Sequence, residues 1–234
     1  FGVFEVGMDK KGEIDNLTKI IKPDLGIITN ISYAHSKNFK SIKHIAEAKA
    51  EIMNNIKADG TIILNGDDNF FNYHKNFAIK KNLNIISFGI KNKSSMIKLI
   101  KIKKIKNKYE LFINVNGSPI SFYSKNNNQS NLYNILATLA SIGLYIDISK
   151  LKKDIFFNFK TPNGRGDISK IKLKNKNIFL VDETYNSNPL SLRTAIENYD
   201  KIESKNSKKY LILGDMLELG KHSIKQHKLI SKII

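Results

Sequence analysis

The chain has 234 residues, the length of one large domain or two modest ones. Hydrophobic residues make up 41% and charged residues 26%, which excludes a disordered or collagen-like protein. The sequence contains no cysteine, no apolar run of about 18 residues and no signal-peptide layout at its start. We therefore expect a cytoplasmic protein without disulfides, thiolate chemistry, zinc ribbons or membrane insertion.

The net charge of +18 is compatible with nucleic-acid binding. Nearly all of this charge is lysine, however, because Arg165 and Arg193 are the only arginines. The guanidinium forks that read guanine edges are therefore scarce. The lysines are also spread along the chain and mixed with Asn and Ile, as a compositional bias would produce. We expect no specific nucleic-acid partner, and keep a basic nucleic-acid-binding protein as the alternative from another class.

The predicted elements alternate as in an α/β protein. Strands are predicted at residues 1–6, 25–30, 61–64, 85–88, 178–181 and 210–213. Helices are predicted at residues 14–21, 42–56 (after Ser41 as N-cap), 131–145, 151–159, 189–202 and from 222 onward. Residues 96–123 alternate instead like a small antiparallel subsheet with a tight turn at Asn116-Gly117. Gly164 lies in a Pro- and Gly-rich linker, so the sequence predicts two α/β domains, at 1–163 and 164–234.

Three side chains in the first domain are candidates for chemistry. Glu5 is expected at the carboxyl end of a strand, where a carboxylate can hold Mg²⁺ or simply face solvent. His35 follows the next strand and would converge with Glu5 at the same edge. Lys49 falls on the apolar stripe of its helix, where it either snorkels or has its pKa lowered by burial and offers an amine for chemistry.

Polar loops follow three later strands. Residues 65–68, with the sequence Asn-Gly-Asp-Asp, are interpreted as a simple turn. Residues 182–189 and 214–220 are more suggestive of a ligand site, because acids and amides stand there between a strand and a helix. Asn188 is equally explained as the N-cap before Pro189. A binding cleft between two α/β domains is the resulting hypothesis.

Together these stretches resemble the Mur ligase family. The motifs that carry the resemblance are Glu5-Val6-Gly7, residues 29–35, Ile45-Ala46-Glu47-Ala48-Lys49 with its fourteen-residue step from His35, residues 65–68, Ser130-Asn131-Leu132-Tyr133-Asn134, Gly164-Arg165, residues 182–189 and Gly214 to Gly220. The resemblance runs nearly end to end, and the last two strings favour the branch that adds D-alanyl-D-alanine to UDP-N-acetylmuramoyl-tripeptide.

The resemblance implies an α/β fold with a mostly parallel central ATPase-type domain, a small antiparallel subsheet, and the first half of a Rossmann-like domain. It implies an ATP-dependent amide-bond ligase of bacterial peptidoglycan synthesis that acts as a monomer with ATP and Mg²⁺. The residues it implicates are Glu5, His35 and carbamylated Lys49 at the metal, Asn131, Asn134, Arg165 and Asp182 at ATP, and Tyr185, Asn186 and Asn188 in a cleft loop. Histidine is a softer ligand than Mg²⁺ usually selects, so that role rests on the resemblance alone.

The sequence also departs from the family pattern. It contains no G-x-x-x-x-G-K-[ST] phosphate loop, and Ser36–Lys40 replaces a Leu-x-x-Phe-Gly stretch. The chain opens inside a predicted strand and closes inside a predicted helix, so we expect a fragment. Because the loop that would cradle the ATP triphosphate is absent from it, we expect this fragment to be inactive alone; ATP turnover by these 234 residues would refute this. A sister muramyl-peptide or folylpolyglutamate-type ligase is the alternative enzyme.

Overall fold

The structure, a computed structural model, describes residues 1–34, 36–159, 162–174, 176–202 and 208–234. Its contacts divide the chain into two compact units. The first consists of Phe1–Ile31 and Phe39–Phe159, and the second of Ser32–Asn38 and Lys160–Ile234. Among the described residues, no helix combines the length and apolar character needed to cross a membrane.

The first unit is built on one six-stranded sheet, whose strands follow chain order. The strands are β1 Leu25–Ile28, β2 Thr61–Asn65, β3 Asn84–Gly89, β4 Ile97–Ile105, β5 Lys108–Val115 and β6 Ser118–Ser124. The helices are α1 Glu13–Ile21, α2 Ile42–Ala50, α3 Phe71–Lys80 and α4 Gln129–Ile142. Pairing is parallel from β1 to β4 and antiparallel from β4 to β6. The predicted α/β fold with an antiparallel subsheet is confirmed, including the turn at Asn116 and Gly117, which have φ of 49° and 94°.

Both faces of the sheet are covered, which explains the continuous apolar run of β2. Successive side chains of a strand point to opposite faces. Ile62 and Leu64 accordingly join a core cluster with Ala46 of α2 and Ala78 of α3. Ile63 joins the cluster on the other face, with residues of α4 such as Leu139. A strand buried on both faces is the expected pattern for a parallel sheet, and it fixes the carboxyl ends of β1, β2 and β3 side by side.

Three predictions for the first unit are wrong in detail. Residues 1–6 form no strand: they pair with none of the described strands, and Phe1, Val3 and Phe4 are exposed. The helix predicted to reach residue 56 ends at Ala50 and tightens into a 3₁₀ turn at Glu51–Asn54. Residues 151–159 form turns and not the predicted helix. Their apolar spacing reflects burial, since Leu151 and Phe156 pack against the core from this non-helical backbone.

The second unit contains the antiparallel pair β7 Asp167–Leu173 and β8 Lys176–Asp182, then α5 Pro189–Asp200 and α6 Ser223–Ile230. Its small core is formed by Ile196, Met216, Leu219 and Ile230. The strand predicted at residues 210–213 is wrong: that segment pairs with none of the described strands, and the Ile212 side chain is 96% exposed. The predicted helices at 189–202 and from 222 are present with slightly shorter bounds.

Candidate active site

The carboxyl ends of β1 and β2 are joined by side-chain hydrogen bonds. Asn65 Nδ2 donates to the Thr29 carbonyl at 2.9 Å, and the Ile31 N–H donates to Asp68 Oδ2 at 2.8 Å. These two bonds hold the backbone on either side of Asn30. Because Asn65 is the last residue of β2 and Asp68 lies in the turn that follows, the carboxyl end of β2 also fixes the chain leaving β1.

Lys49 reaches this edge from the last turn of α2. Its Nζ donates to the Asn30 carbonyl at 3.1 Å, and the side chain is half-buried. Burial lowers the pKa of Lys49, and the carboxylate of Asp68 opposes that shift without cancelling it. A larger fraction of Lys49 is therefore the neutral, nucleophilic amine than for a lysine in water.

His74 lies behind α2 and is 2% exposed. Its Nε2 is 3.0 Å from the Ala46 carbonyl oxygen, which can only accept, so Nε2 carries the proton. Burial lowers the pKa of His74, aided by Lys49 and opposed by the Ala46 hydrogen bond and by Asp68. The folded protein therefore favours the neutral imidazole, which holds α2 to α3.

Asp67 organises the neighbouring strand ends. Its carboxylate accepts hydrogen bonds from the N–H groups of Ile90 (2.6 Å), Lys91 (2.9 Å) and Asn92 (2.6 Å), which follow β3, and from the Tyr133 hydroxyl of α4 (2.9 Å). Burial alone would raise the pKa of Asp67, but these donors hold it below its usual value. The same environment raises the pKa of Tyr133 to about 12 through burial and the bond to Asp67. The pair is thus a carboxylate and a neutral phenol at physiological pH.

The residues expected at a metal are only partly described. Glu5 is exposed and lies outside any strand, so the predicted strand end that would place it is not present. His35 falls outside the described residues. Within the described ranges, no three His, Asp or Glu side chains come together as a metal site. The sequence-based metal set of Glu5, His35 and Lys49 therefore stays a prediction.

Asn131 and Asn134 lie in the first turns of α4. Asn131 is half-buried, and its Nδ2 donates to Ser124 Oγ of β6 at 3.1 Å. Asn134 is exposed. One asparagine is thus held against the sheet while the other faces solvent close to the helix N-terminus, where the helix dipole favours negative groups.

In the second unit, Arg165 and Tyr185 form one contact, with the guanidinium 4.5 Å from the ring centroid. The Tyr185 N–H donates to the Gly164 carbonyl at 3.2 Å, which brings the two loops together. Asp182 Oδ1 accepts from the N–H (3.0 Å) and the hydroxyl (2.7 Å) of Thr184, and these bonds lower the pKa of Asp182.

The other two residues of the predicted cleft loop, Asn186 and Asn188, have different environments. Asn186 is exposed. Asn188 is the N-cap of α5, where its Oδ1 accepts from the N–H groups of Leu190 and Ser191 at 3.0 Å each. The capping interpretation of Asn188 is thus the one observed, and its side-chain oxygen is already engaged.

Sequence reasoning did not identify His74, and it missed the contacts that Asp67 and Asp68 make at this edge. The available signal is the acidic pair directly after the buried strand β2, whose sequence by itself indicates a simple turn. It is a turn, but its carboxylates also bind the chain that follows β1 and β3.

Comparisons with known proteins identify the family of this fold. Residues 1–142 match the family described as Mur ligase middle domain. A UDP-N-acetylmuramoyl-tripeptide--D-alanyl-D-alanine ligase of Rickettsia prowazekii is 35% identical over 97% of this chain and 49% of its own length. A crystal structure of MurF from Acinetobacter baumannii superposes with a TM-score of 0.82 at 26% identity, over 96% of this chain and 47% of that one. The fold is shared by a Thermotoga maritima MurF in complex with ADP (TM-score 0.79, 24% identity, 98% of this chain and 50% of that one). The chain therefore spans about half the length of these relatives.

Proposed function

Because this chain belongs to the Mur ligase middle-domain family, we propose that its protein is an ATP-dependent ligase that adds D-alanyl-D-alanine to UDP-N-acetylmuramoyl-tripeptide in the bacterial cytoplasm. The observation that carries the proposal is the extent of the similarity. At 35% identity it covers 97% of the chain, and so includes both compact units and not the middle domain alone.

The proposed reaction joins two substrates through an amide bond. The tripeptide carboxylate takes the γ-phosphoryl group of ATP, which releases ADP and gives an acyl phosphate. The amine of D-alanyl-D-alanine then attacks the acyl carbon, loses a proton, and phosphate leaves. Positioning and charge neutralisation do most of the work in such transfers.

For the metal, we propose Glu5, His35 and Lys49 as the residues that hold Mg²⁺. The half-buried amine of Lys49 fits this role, since its lowered pKa favours the neutral form that combines with CO₂ to give a carbamate and a proton. The carbamate would supply an oxygen donor, which a lysine ammonium cannot, and the Glu5 carboxylate is exposed and accessible. When bound, Mg²⁺ would neutralise charge on the transferred phosphoryl group.

For the nucleotide, we propose that Asn131 and Asn134 of α4 face the adenosine, and that Arg165 and Asp182 also contact ATP. The anchoring of Asn131 by Ser124 supports this role, because a fixed amide presents its hydrogen-bonding groups in one direction. Tyr185, Asn186 and Asn188 remain candidates for the loop that meets the nucleotide or the incoming dipeptide.

The test is an amide-ligation assay with the full-length protein, ATP, UDP-N-acetylmuramoyl-tripeptide and D-alanyl-D-alanine. We expect Lys49→Ala to lower kcat by at least about 100-fold, the scale of losing a charged group from a transfer site. Lys43→Ala is the matched control, because Lys43 lies on the exposed face of the same helix. Preference for another amino acceptor would favour a sister ligase. Tight, salt-sensitive nucleic-acid binding without ligation would favour the other class.

A further inference from the structure

Tyr133 lies between the two asparagines proposed for the nucleotide in the sequence of α4, and besides a side-chain hydrogen bond with Gln129 of the same helix it contacts the sheet. Its hydroxyl donates to Asp67 Oδ2 at 2.9 Å, and its ring meets Phe88 of β3 edge-on, with centroids 6.4 Å apart. The side chain is half-buried. It therefore connects the N-terminal part of α4 to the strand ends.

Asp67 is a rigid partner for this contact. Three consecutive backbone N–H groups after β3 already point at its carboxylate. The Asp67 N–H in turn donates to Asn65 Oδ1 at 2.9 Å, and the Asn92 side chain donates to the Gly66 carbonyl at 3.0 Å. The carboxylate is thus held from several sides, so the Tyr133 hydroxyl binds to a fixed point of the sheet edge.

The geometry of a helix turns this contact into a rotational constraint. Successive residues of an α-helix are separated by about 100° around its axis, so fixing one side chain fixes the direction of its neighbours. Asn134 is exposed, and the bond from Asn131 to Ser124 lies on the β6 side. The bonds of Asn131 and Tyr133 act together with the buried apolar face of α4 to set the rotation of the helix, and hence the direction in which Asn134 points.

We propose that Tyr133 is a positioning residue for nucleotide binding, which acts by fixing α4 to Asp67 so that Asn131 and Asn134 are oriented toward adenosine. This inference rests on the proposed function. The high pKa of Tyr133 supports it, since the phenol stays a proton donor across the physiological range.

The test compares Tyr133→Phe with Tyr145→Phe in the full-length protein. Tyr133→Phe removes only the hydroxyl, whereas Tyr145 is an exposed tyrosine just past the other end of α4. We expect Tyr133→Phe to weaken binding of a fluorescent ADP analogue, and to raise KM for ATP, by about three- to tenfold, the effect of one hydrogen bond. The KM of Tyr133→Phe for D-alanyl-D-alanine should not change. The Tm of the control Tyr145→Phe should equal that of the wild type.

The outcomes separate the inference from the function on which it rests. If the wild-type protein binds ADP and ligates, but Tyr133→Phe binds the analogue equally well, the positioning role is refuted. A lowered Tm with unchanged nucleotide affinity also refutes it, since the contact would then be structural only. If the wild-type protein neither binds nucleotide nor ligates, the proposed function fails and the inference fails with it.

Discussion

Glu51 caps a helix that is distant in sequence. The Gly12 N–H lies 2.8 Å from Glu51 Oε1 and 2.9 Å from Oε2, and the Asp15 N–H lies 3.3 Å from Oε2. Both N–H groups belong to the start of α1, and Glu51 is only 8% exposed. A buried carboxylate at this position satisfies donors that have no partner within the helix and complements the helix dipole.

We expect Glu51→Gln to destabilise this contact by about 1–2 kcal/mol. Loss of the charge at the helix N-terminus accounts for about 0.5–1 kcal/mol. Replacing charge-assisted hydrogen bonds by one neutral bond, while turning an amide donor toward the Asp15 N–H, accounts for a similar amount. Glu51→Ala should cost more, about 2–3 kcal/mol, because both N–H groups are then left without this acceptor.

Hydrogen exchange is the appropriate assay, since it reports local opening of α1 separately from unfolding of the rest of the first unit. Protection of the α1 amides should fall by about 5- to 30-fold in Glu51→Gln. Glu47→Gln is the control, because Glu47 makes a weak 3.8 Å ion pair with the largely exposed Lys11. If Glu51→Gln exchanges like the wild type while Glu51→Ala opens α1, the charge has no role and the reasoning is refuted.

Three further predictions concern pH and backbone conformation. The pKa of Asp67 is lowered in the folded protein, so the stabilisation by its carboxylate is present above the unfolded pKa of about 4 and is lost as pH falls through the folded pKa. The difference in unfolding free energy between the wild type and Asp67→Asn, measured by urea unfolding, should therefore shrink between pH 7 and pH 3. The pKa of His74 is also lowered in the folded protein, so as pH falls the unfolded state is protonated at His74 before the folded state is. The free energy of unfolding of the wild type should therefore decrease as pH drops below about 6.5, and this contribution to the pH dependence should be absent in His74→Gln. Gly164→Ala should lower the free energy of unfolding by about 1–3 kcal/mol and reduce hydrogen-exchange protection of the Tyr185 amide, because φ at Gly164 is +74° and a Cβ would lie 2.9 Å from the Tyr185 nitrogen. Gly214→Ala is its control, since a Cβ at Gly214 meets nothing within 4 Å.

Much of the first unit was predictable because its signals are local. The Asn116-Gly117 dipeptide defines its hairpin, and the apolar stripes of α1 and α4 have helical spacing. Apolar spacing reports burial, however, and not backbone hydrogen bonding. Residues 1–6 and 210–213 look like strands but pair with none of the described strands, and residues 151–159 bury apolar side chains on turns.

The candidate site was predictable in its residue types but not in its supporting contacts. Lys49 could be selected because a lysine on an apolar stripe is visible in the sequence. The roles of Asp67 and Glu51 could not, because their partners are backbone N–H groups far away in the chain. Backbone donors look the same at every residue, so only the fold shows which of them a carboxylate meets.

The change from parallel to antiparallel pairing at β4 has a consequence for the order of folding. The strands β4, β5 and β6 are joined by turns such as Asn116-Gly117, whereas pairing of β1 with β2 must first close the long crossover that contains α2. Short loops close with less entropy loss and faster than long ones. We therefore expect the antiparallel meander to gain amide protection first in pulse-labelling experiments. The parallel edge that carries Lys49 and Asp67 would then assemble later, onto a sheet that already exists.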